Sequence, residues 1–189
     1  VMKALKRQEA APSRKLPVTP AMLRWFTKTS GGLGRNGIVL RAATLTAYYF
    51  LLRAGEYCGT QGRGWNQRTG LTGQDVELRF DGTLVTLSAG ARPDEVTIRI
   101  RGSKTDQLNV GEVRNHFRSG TPDRCVVTAL TALRDRFPER FGEGTETHLP
   151  ACRWADGAVV TREQVQEWLR RSALATGVPP DRLGSPSLR

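Results

Sequence analysis

The spacing of hydrophobic residues changes along the chain, and each spacing predicts a different element. Apolar side chains recur at helical intervals behind Thr19 and Pro20 as far as about Thr29. Thr is a favoured N-cap and Pro a favoured first helical residue, so a helix is predicted to begin at Pro20. Residues 38–57 are apolar on nearly every side, which predicts one long central helix buried all round. The glycines of residues 31–37 predict a flexible break between the two helices.

From residue 76 onwards the period changes to two, which is typical of half-buried strands. Residues 76–87 alternate apolar and polar side chains on both sides of Asp81-Gly82, a strong short signal for a hairpin. The register that puts all apolar side chains on one face pairs Phe80 with Thr83, then Leu78 with Val85 and Val76 with Leu87. Apolar residues at alternate positions of 96–100 predict a third strand.

The remainder of the chain is predicted to be helical. Asp123 is expected to cap one helix, and the pair Thr161 and Gln164 forms a capping-box pattern in front of another that ends at Gly177. The predicted fold class is therefore α+β and mainly α, with helices around a small three-stranded antiparallel sheet.

Composition and charge narrow the function classes. Hydrophobic residues make up 38% and charged residues 25% of the chain, which is typical of a globular domain. The net charge is +11, and residues 1–60 carry +8 of it (ten Lys/Arg against two Glu). Such an excess favours a polyanionic partner, nucleic acid first and an anionic membrane surface second, although a basic protein without such a partner remains an alternative.

Several other classes are disfavoured by the sequence. The three cysteines, Cys58, Cys125 and Cys152, are far apart and odd in number, which argues against a disulfide framework and for a reducing compartment. No Cys or His spacing predicts a metal site. The longest apolar run is too short to span a bilayer, and the first residues lack the apolar core of a signal peptide.

A glycine-rich motif raises the possibility of a dinucleotide site. Residues 32–37 match G-x-G-x-x-G, and Glu56 follows about twenty residues on. That interpretation requires a strand before the glycines, whereas the preceding residues have helical spacing. A second helix entered through a glycine-rich hinge is the better interpretation, and no cofactor is expected.

Three basic residues stand in informative positions. Arg53 places a guanidinium in an otherwise apolar segment, where an unpaired charge would cost several kcal/mol. It is either a structural ion pair with Glu56 or a guanidinium that Glu56 orients towards a bound anion. Lys104 follows the third strand at a turn, where a lysine is either simply solvated or reaches into a groove. Arg189 by itself indicates nothing.

Taken together, these segments resemble the tyrosine recombinase, or phage integrase, family, and most closely integrase-like proteins of crypton and DIRS transposons. The segment TPAMLRWF resembles the first helix of the catalytic domain, AYYFLLRAGEY the box of the first catalytic arginine, and VTIRIRGSKTDQ the hairpin of the catalytic lysine. RCVVTALTAL and residues 165–189 resemble the following helices and the start of the H-x-x-R box. The resemblance implies a basic linker and the end of a core-binding domain at residues 1–18, and a partial catalytic domain at 19–189.

The resemblance also implies the roles of individual residues. Arg53 and Arg189 are the two arginines that clamp the scissile phosphate, Lys104 is the general acid, and Glu56 orients the first arginine. The family cleaves and rejoins DNA through a 3′-phosphotyrosyl bond, which keeps the bond energy for rejoining. Further basic residues are expected to contact the DNA backbone: Lys3, Lys6, Arg7, Arg14, Lys15, Arg63 and Arg68.

Two features depart from the family pattern. Pro186 stands where the family has the histidine of its H-x-x-R box, and the chain as given ends before the family's nucleophilic tyrosine. Residues 1–189 are therefore expected not to cleave DNA, and the alternative is a non-catalytic DNA-binding relative of a recombinase. The implied partner is double-stranded DNA, bound by a homotetramer on paired sites as in the family, and no membrane partner is expected. The expected location is intracellular, nuclear in a eukaryote or cytoplasmic and nucleoid-associated in a prokaryote.

Overall fold

The computed structural model describes residues 15–62, 64–85, 92–102, 110–184 and 188. Helix α1 spans Pro20–Ser30 and begins as predicted, with the Thr19 hydroxyl accepting a hydrogen bond from the Met22 backbone N–H at 3.3 Å. A 3₁₀ turn at Gly31–Leu33 leads directly into α2, Gly34–Tyr49. The predicted break between the two helices is present but shorter than residues 31–37, because Gly31–Leu33 form a 3₁₀ turn and α2 already begins at Gly34, where φ is 55°.

Helix α2 is the buried centre of the molecule. Its residues 39, 40 and 42–47 are all buried, and it packs against α1 and α4 (Val126–Arg136). The predicted helix over residues 38–57 is too long, because α2 ends at Tyr49 and a separate short helix α3 spans Ala54–Tyr57. Arg53 thus lies at the N-cap of α3 instead of inside the last turns of one continuous helix.

Among the described residues the sheet has four antiparallel strands, where three were predicted. They are β1 Val76–Phe80, β2 Thr83–Leu84, β3 Glu95–Ile100 and β4 Glu112–Phe117, in the order β2-β1-β3-β4. The register of the predicted hairpin is confirmed at Phe80 and Thr83, which are directly paired. The predicted partner of Val76 in that hairpin, Leu87, lies outside the described residues.

Strand β4 corrects the expectation that the chain after the third strand is helical. Its register pairs Ile98 with Arg114 and Val96 with His116, so Arg114 and His116 belong to the inner face of the sheet. Val113 and Phe117 alternate with them on the outer face and are 62% and 68% exposed. The usual pattern of apolar side chains inside and polar side chains outside is therefore reversed in β4. For this reason the alternation of apolar residues does not predict the strand.

The C-terminal part is helical, as predicted. Helix α5, Arg162–Ala175, begins with the predicted capping box, in which the Thr161 hydroxyl accepts from the Gln164 N–H and Gln164 Oε1 accepts from the Thr161 N–H. Helix α4 has Cys125 as its N-cap, so the prediction that Asp123 caps it is wrong. Asp123 instead lies in a 3₁₀ turn; further turns of this kind are Gly73–Asp75, Pro138–Arg140 and Pro180–Arg182.

One buried core joins these elements. Apolar side chains of α1, α2, α4 and α5 meet the inner face of β1 and β3, where Leu78 and Ile98 are almost completely buried. Buried arginines tie down the connection between α4 and α5: the Arg140 guanidinium stacks on the Phe137 ring at 3.8 Å and donates to the Trp154 carbonyl oxygen at 3.0 Å. Within the described part of the chain, no helix has the length and apolar character that crossing a membrane requires.

Candidate functional site

The position of Arg53 is set by the way α2 ends. The Leu52 N–H donates to the Ala47 carbonyl oxygen at 3.0 Å, and Leu51 between helix and loop has φ 55°. This is the six-to-one bond and left-handed residue of a Schellman motif, in which glycine is the usual choice because a side chain is strained there. The chain therefore turns sharply at Leu51, and Arg53 emerges beside the C-terminal end of α2.

Arg53 and Glu56 hold each other reciprocally at the start of α3. The Glu56 carboxylate accepts from the Arg53 backbone N–H at 2.8 Å and from its Nη1 at 3.2 Å, while the Glu56 N–H donates to the Arg53 carbonyl oxygen at 2.8 Å. The Glu56 side chain is 9% exposed and that of Arg53 is 37% exposed. The buried carboxylate therefore fixes one edge of a guanidinium that still reaches solvent.

Strand β4 supports the same corner from the other side. Arg114 Nη1 donates to the Phe50 carbonyl oxygen at 2.8 Å, and His116 Nε2 lies 2.8 Å from the Tyr49 carbonyl oxygen. The last carbonyls of a helix lack partners within the helix and carry its negative dipole end, so a cation and an imidazole N–H satisfy them well. Two side chains of β4 thus anchor the end of α2 from which Arg53 emerges.

These residues surround an open cavity of about 220 Å³. Its lining brings together the end of α2, the start of α3 and the facing ends of β3 and β4: Leu51, Arg53, Glu56, Ile100, Gly102, Val110, Gly111, Glu112 and Arg114. Two guanidinium groups and two carboxylates are therefore present on one cavity. Paired guanidinium groups match the oxygens of a phosphate or a carboxylate, to which they can donate parallel hydrogen bonds.

The charged groups of β4 interact strongly at this cavity. Arg114 Nη2 donates to Glu112 Oε2 at 2.6 Å. This hydrogen bond is the main reason why the pKa of Arg114 is raised, and the nearby charge of Glu56 adds to the effect. The same hydrogen bond lowers the pKa of Glu112. Both groups are therefore ionised at neutral pH, and Glu112 already occupies one donor of Arg114.

Two of the four residues with predicted catalytic roles can be placed. Arg53 and Glu56 lie together on the cavity, whereas Lys104 and Arg189 lie outside the described residues. The described residues that flank the segment of Lys104 are Gly102 and Val110, and both line the cavity of Arg53.

The predicted DNA-backbone contacts are only partly described. Lys15 is exposed and its Nζ donates to the Asp181 carbonyl oxygen at 2.8 Å; Arg68 is exposed on the loop after α3. Neither residue lines the cavity of Arg53. The remaining predicted contacts lie outside the described residues: Lys3, Lys6, Arg7, Arg14 and Arg63.

Other chemistries receive no supporting geometry from the described residues. Among them no cluster of three or more His, Cys, Asp or Glu side chains is arranged to hold a metal ion. The glycines of the G-x-G-x-x-G motif follow α1 and not a strand, so the context of a dinucleotide-binding loop is lacking. Burial raises the pKa of the Cys58 and Cys152 thiols to about 12, which leaves both unreactive at neutral pH.

Glu112 and Arg114 line the cavity and His116 supports the end of α2 beside it, and none of the three was predicted from the sequence. Their common signal is weak: they occupy alternate positions of one short segment, with Val113 and Phe117 between or after them.

Comparison with known proteins found no matching protein-family model, no matching curated protein and no matching solved structure.

Proposed function

We propose that this protein binds double-stranded DNA and receives one backbone phosphate in the cavity of Arg53, as part of a catalytic domain of the tyrosine recombinase type. The observation that carries the proposal is the Arg53–Glu56 pair on this cavity. A buried carboxylate holds the guanidinium, 37% of the side chain stays exposed, and a second guanidinium lies on the same cavity. The net charge of +11 adds a long-range attraction for DNA.

The proposed reaction is a transesterification that needs no metal. A tyrosine hydroxyl passes its proton to a base as its oxygen attacks the scissile phosphorus, the bond from phosphorus to the 5′ oxygen breaks, and that oxygen leaves as a hydroxyl with a proton from the general acid. Arg53 would stabilise the charge that develops on the non-bridging oxygens, with Glu56 orienting it. From the resemblance to the family, the proposal assigns the second arginine to Arg189 and the general acid to Lys104.

The three tyrosines of this chain are unsuited to the role of nucleophile. Tyr57 is 2% exposed, and burial raises its pKa well above the ordinary value. Tyr48 and Tyr49 pack edge to face against each other at 5.2 Å, and burial also raises the pKa of Tyr49. We therefore expect residues 1–189 to form no covalent adduct with a nicked suicide duplex, and an adduct would refute this assignment of the tyrosines.

The DNA-binding part is tested by comparing two arginines in similar settings. Arg53 and Arg79 are both paired with a glutamate and both have side chains that are 37% exposed, but Arg79 lies on the outer face of the sheet. We expect Arg53→Ala to weaken binding of a short duplex by about tenfold, as loss of a charged hydrogen-bonding group would, and Arg79→Ala to change it by less than about twofold. Fluorescence anisotropy at one fixed salt concentration gives both affinities. Equal effects of the two substitutions would refute the proposal.

A further inference from the structure

The two carboxylates on the cavity differ in how firmly they are held. Glu56 is 9% exposed and accepts two hydrogen bonds from Arg53, one of them from the backbone. Glu112 is 57% exposed and is bound to Arg114 through one oxygen. Displacing Glu56 would leave a buried charge without partners, whereas Glu112 would simply turn into water. Of the two, Glu112 is the carboxylate that an incoming anion can replace.

Arg114 is well placed to receive such an anion. Its Nη1 donates to the Phe50 carbonyl oxygen at 2.8 Å, which holds the guanidinium at the cavity independently of Glu112. Nη2 is the donor that Glu112 occupies. When Glu112 leaves, Nη2 is therefore able to donate to an anion in the cavity that Arg53 also lines.

We propose that Arg114 is a second phosphate-binding guanidinium of this cavity, and that Glu112 is a resident carboxylate which a DNA phosphate displaces. This inference rests on the proposed function, because it assumes that the cavity takes a backbone phosphate. A carboxylate and a phosphodiester each carry one negative charge and offer oxygen acceptors, so the exchange keeps the charge on Arg114 balanced. Glu112 then weakens DNA binding by competing for the same donor.

The pair on β4 has a close counterpart elsewhere in the sheet. Glu77 and Arg79 on β1 have the same E-x-R spacing, the same N–O distance of 2.6 Å and similar exposure of the arginine, 37% against 36% for Arg114. Glu77 and Arg79 lie on the outer face of the sheet and do not line the cavity of Arg53. Glu77→Gln therefore removes the same charge from the same kind of pair without affecting the proposed phosphate site.

The test compares Glu112→Gln with Glu77→Gln in the binding of a short DNA duplex by fluorescence anisotropy. Since an exposed ion pair is worth little, we expect Glu112→Gln to tighten binding by about two- to fivefold, and Glu77→Gln by less than about 1.5-fold. Adding Arg114→Lys to Glu112→Gln should abolish the gain, because a lysine lacks the planar fork. Urea unfolding of each variant checks that the fold is kept. Equal effects of Glu112→Gln and Glu77→Gln, or a gain that survives Arg114→Lys, would overturn the inference.

The same experiment separates this inference from the proposed function. If Arg53→Ala weakens DNA binding while Glu112→Gln behaves like Glu77→Gln, the phosphate site stands and only the role of Glu112 is wrong. If Arg53→Ala and Arg79→Ala have equal effects, the proposed function fails, and the inference fails with it.

Discussion

Replacing Glu56 by glutamine tests how Arg53 is held. In the native protein both carboxylate oxygens accept hydrogen bonds from Arg53, at 2.8 Å from the backbone N–H and at 3.2 Å from Nη1. Glutamine keeps the size of the side chain and one acceptor oxygen. Its amide nitrogen is a donor, so one of the two contacts becomes a donor facing a donor.

The magnitude follows from these contacts. A hydrogen bond to a charged group contributes about 1.5–3 kcal/mol, and the neutral amide recovers part of this because it is less costly to bury than a carboxylate. The Arg53 side chain is partly exposed, so water compensates for part of the lost ion pair. We therefore expect Glu56→Gln to lower the free energy of unfolding by about 1–2 kcal/mol.

Urea denaturation measures this change, with an unaltered m-value as the sign that the unfolded state is the same. The control is Glu167→Gln, which removes a glutamate that is 52% exposed and paired with Arg171 on the surface of α5. That change should stay within about 0.5 kcal/mol. A loss for Glu56→Gln no larger than that of the control would refute the view that Glu56 fixes Arg53.

Three further changes test other parts of the structure. Leu51→Gly should raise the free energy of unfolding by about 1 kcal/mol in urea titrations, because it relieves the left-handed φ of 55°, whereas Leu51→Val should lower it. Gly73→Ala should lower the free energy of unfolding by about 3 kcal/mol, because the added Cβ would lie 1.5 Å from the Arg140 carbonyl oxygen. Gly31→Ala should raise the free energy of unfolding by about 0.5 kcal/mol, because the space around Gly31 is open. Burial raises the thiol pKa values of Cys58 and Cys152 from 9.0 to about 12, so the thiols ionise at lower pH in the unfolded chain than in the folded protein. The free energy of unfolding should therefore fall as the pH rises from 9.0 to about 12.

Each of these expectations has a clear contrary result. Equal stabilities of Leu51→Gly and Leu51→Val would show that the end of α2 is not strained. A Gly73→Ala variant as stable as the native protein would contradict the close packing at that position. At alkaline pH the free energy of unfolding should fall by at most about 1.4 kcal/mol per pH unit for each thiol. Cys152→Ala should make this decrease smaller. An unchanged pH profile in that variant would show that the Cys152 thiol does not contribute.

Local signals explain which elements were predictable from the sequence. Helix α1 and helix α5 begin at side-chain caps, Thr19 and Thr161, whose partners lie within three residues. The hairpin of β1 and β2 is encoded by Asp81-Gly82, both of which have positive φ. In each case the residues that determine the structure are neighbours in the chain.

Other features carry no local signal in the sequence and were missed. The end of α2 uses Leu51 and not glycine in the left-handed position, so nothing in the local sequence marks it. Strand β4 turns Arg114 and His116 inwards because the carbonyl oxygens at the end of α2 need donors, a requirement set more than sixty residues earlier in the chain.

The candidate site divides in the same way. The pairing of Arg53 with Glu56 was predictable, because a guanidinium in an apolar segment with an acid three residues on is unusual. Glu112 and Arg114 were not, because an E-x-R sequence on a strand normally forms a surface ion pair, as Glu77 and Arg79 do. Only the fold places the first of these pairs on the cavity of Arg53.

The salt dependence of DNA binding tests the central claim most directly. Each phosphate that a protein cation neutralises contributes about 0.9 to the slope of log affinity against log salt concentration. If Arg53 binds a backbone phosphate, Arg53→Ala should reduce the magnitude of that slope by about 0.9. Arg79→Ala should leave the slope unchanged. An unchanged slope for Arg53→Ala would contradict the account.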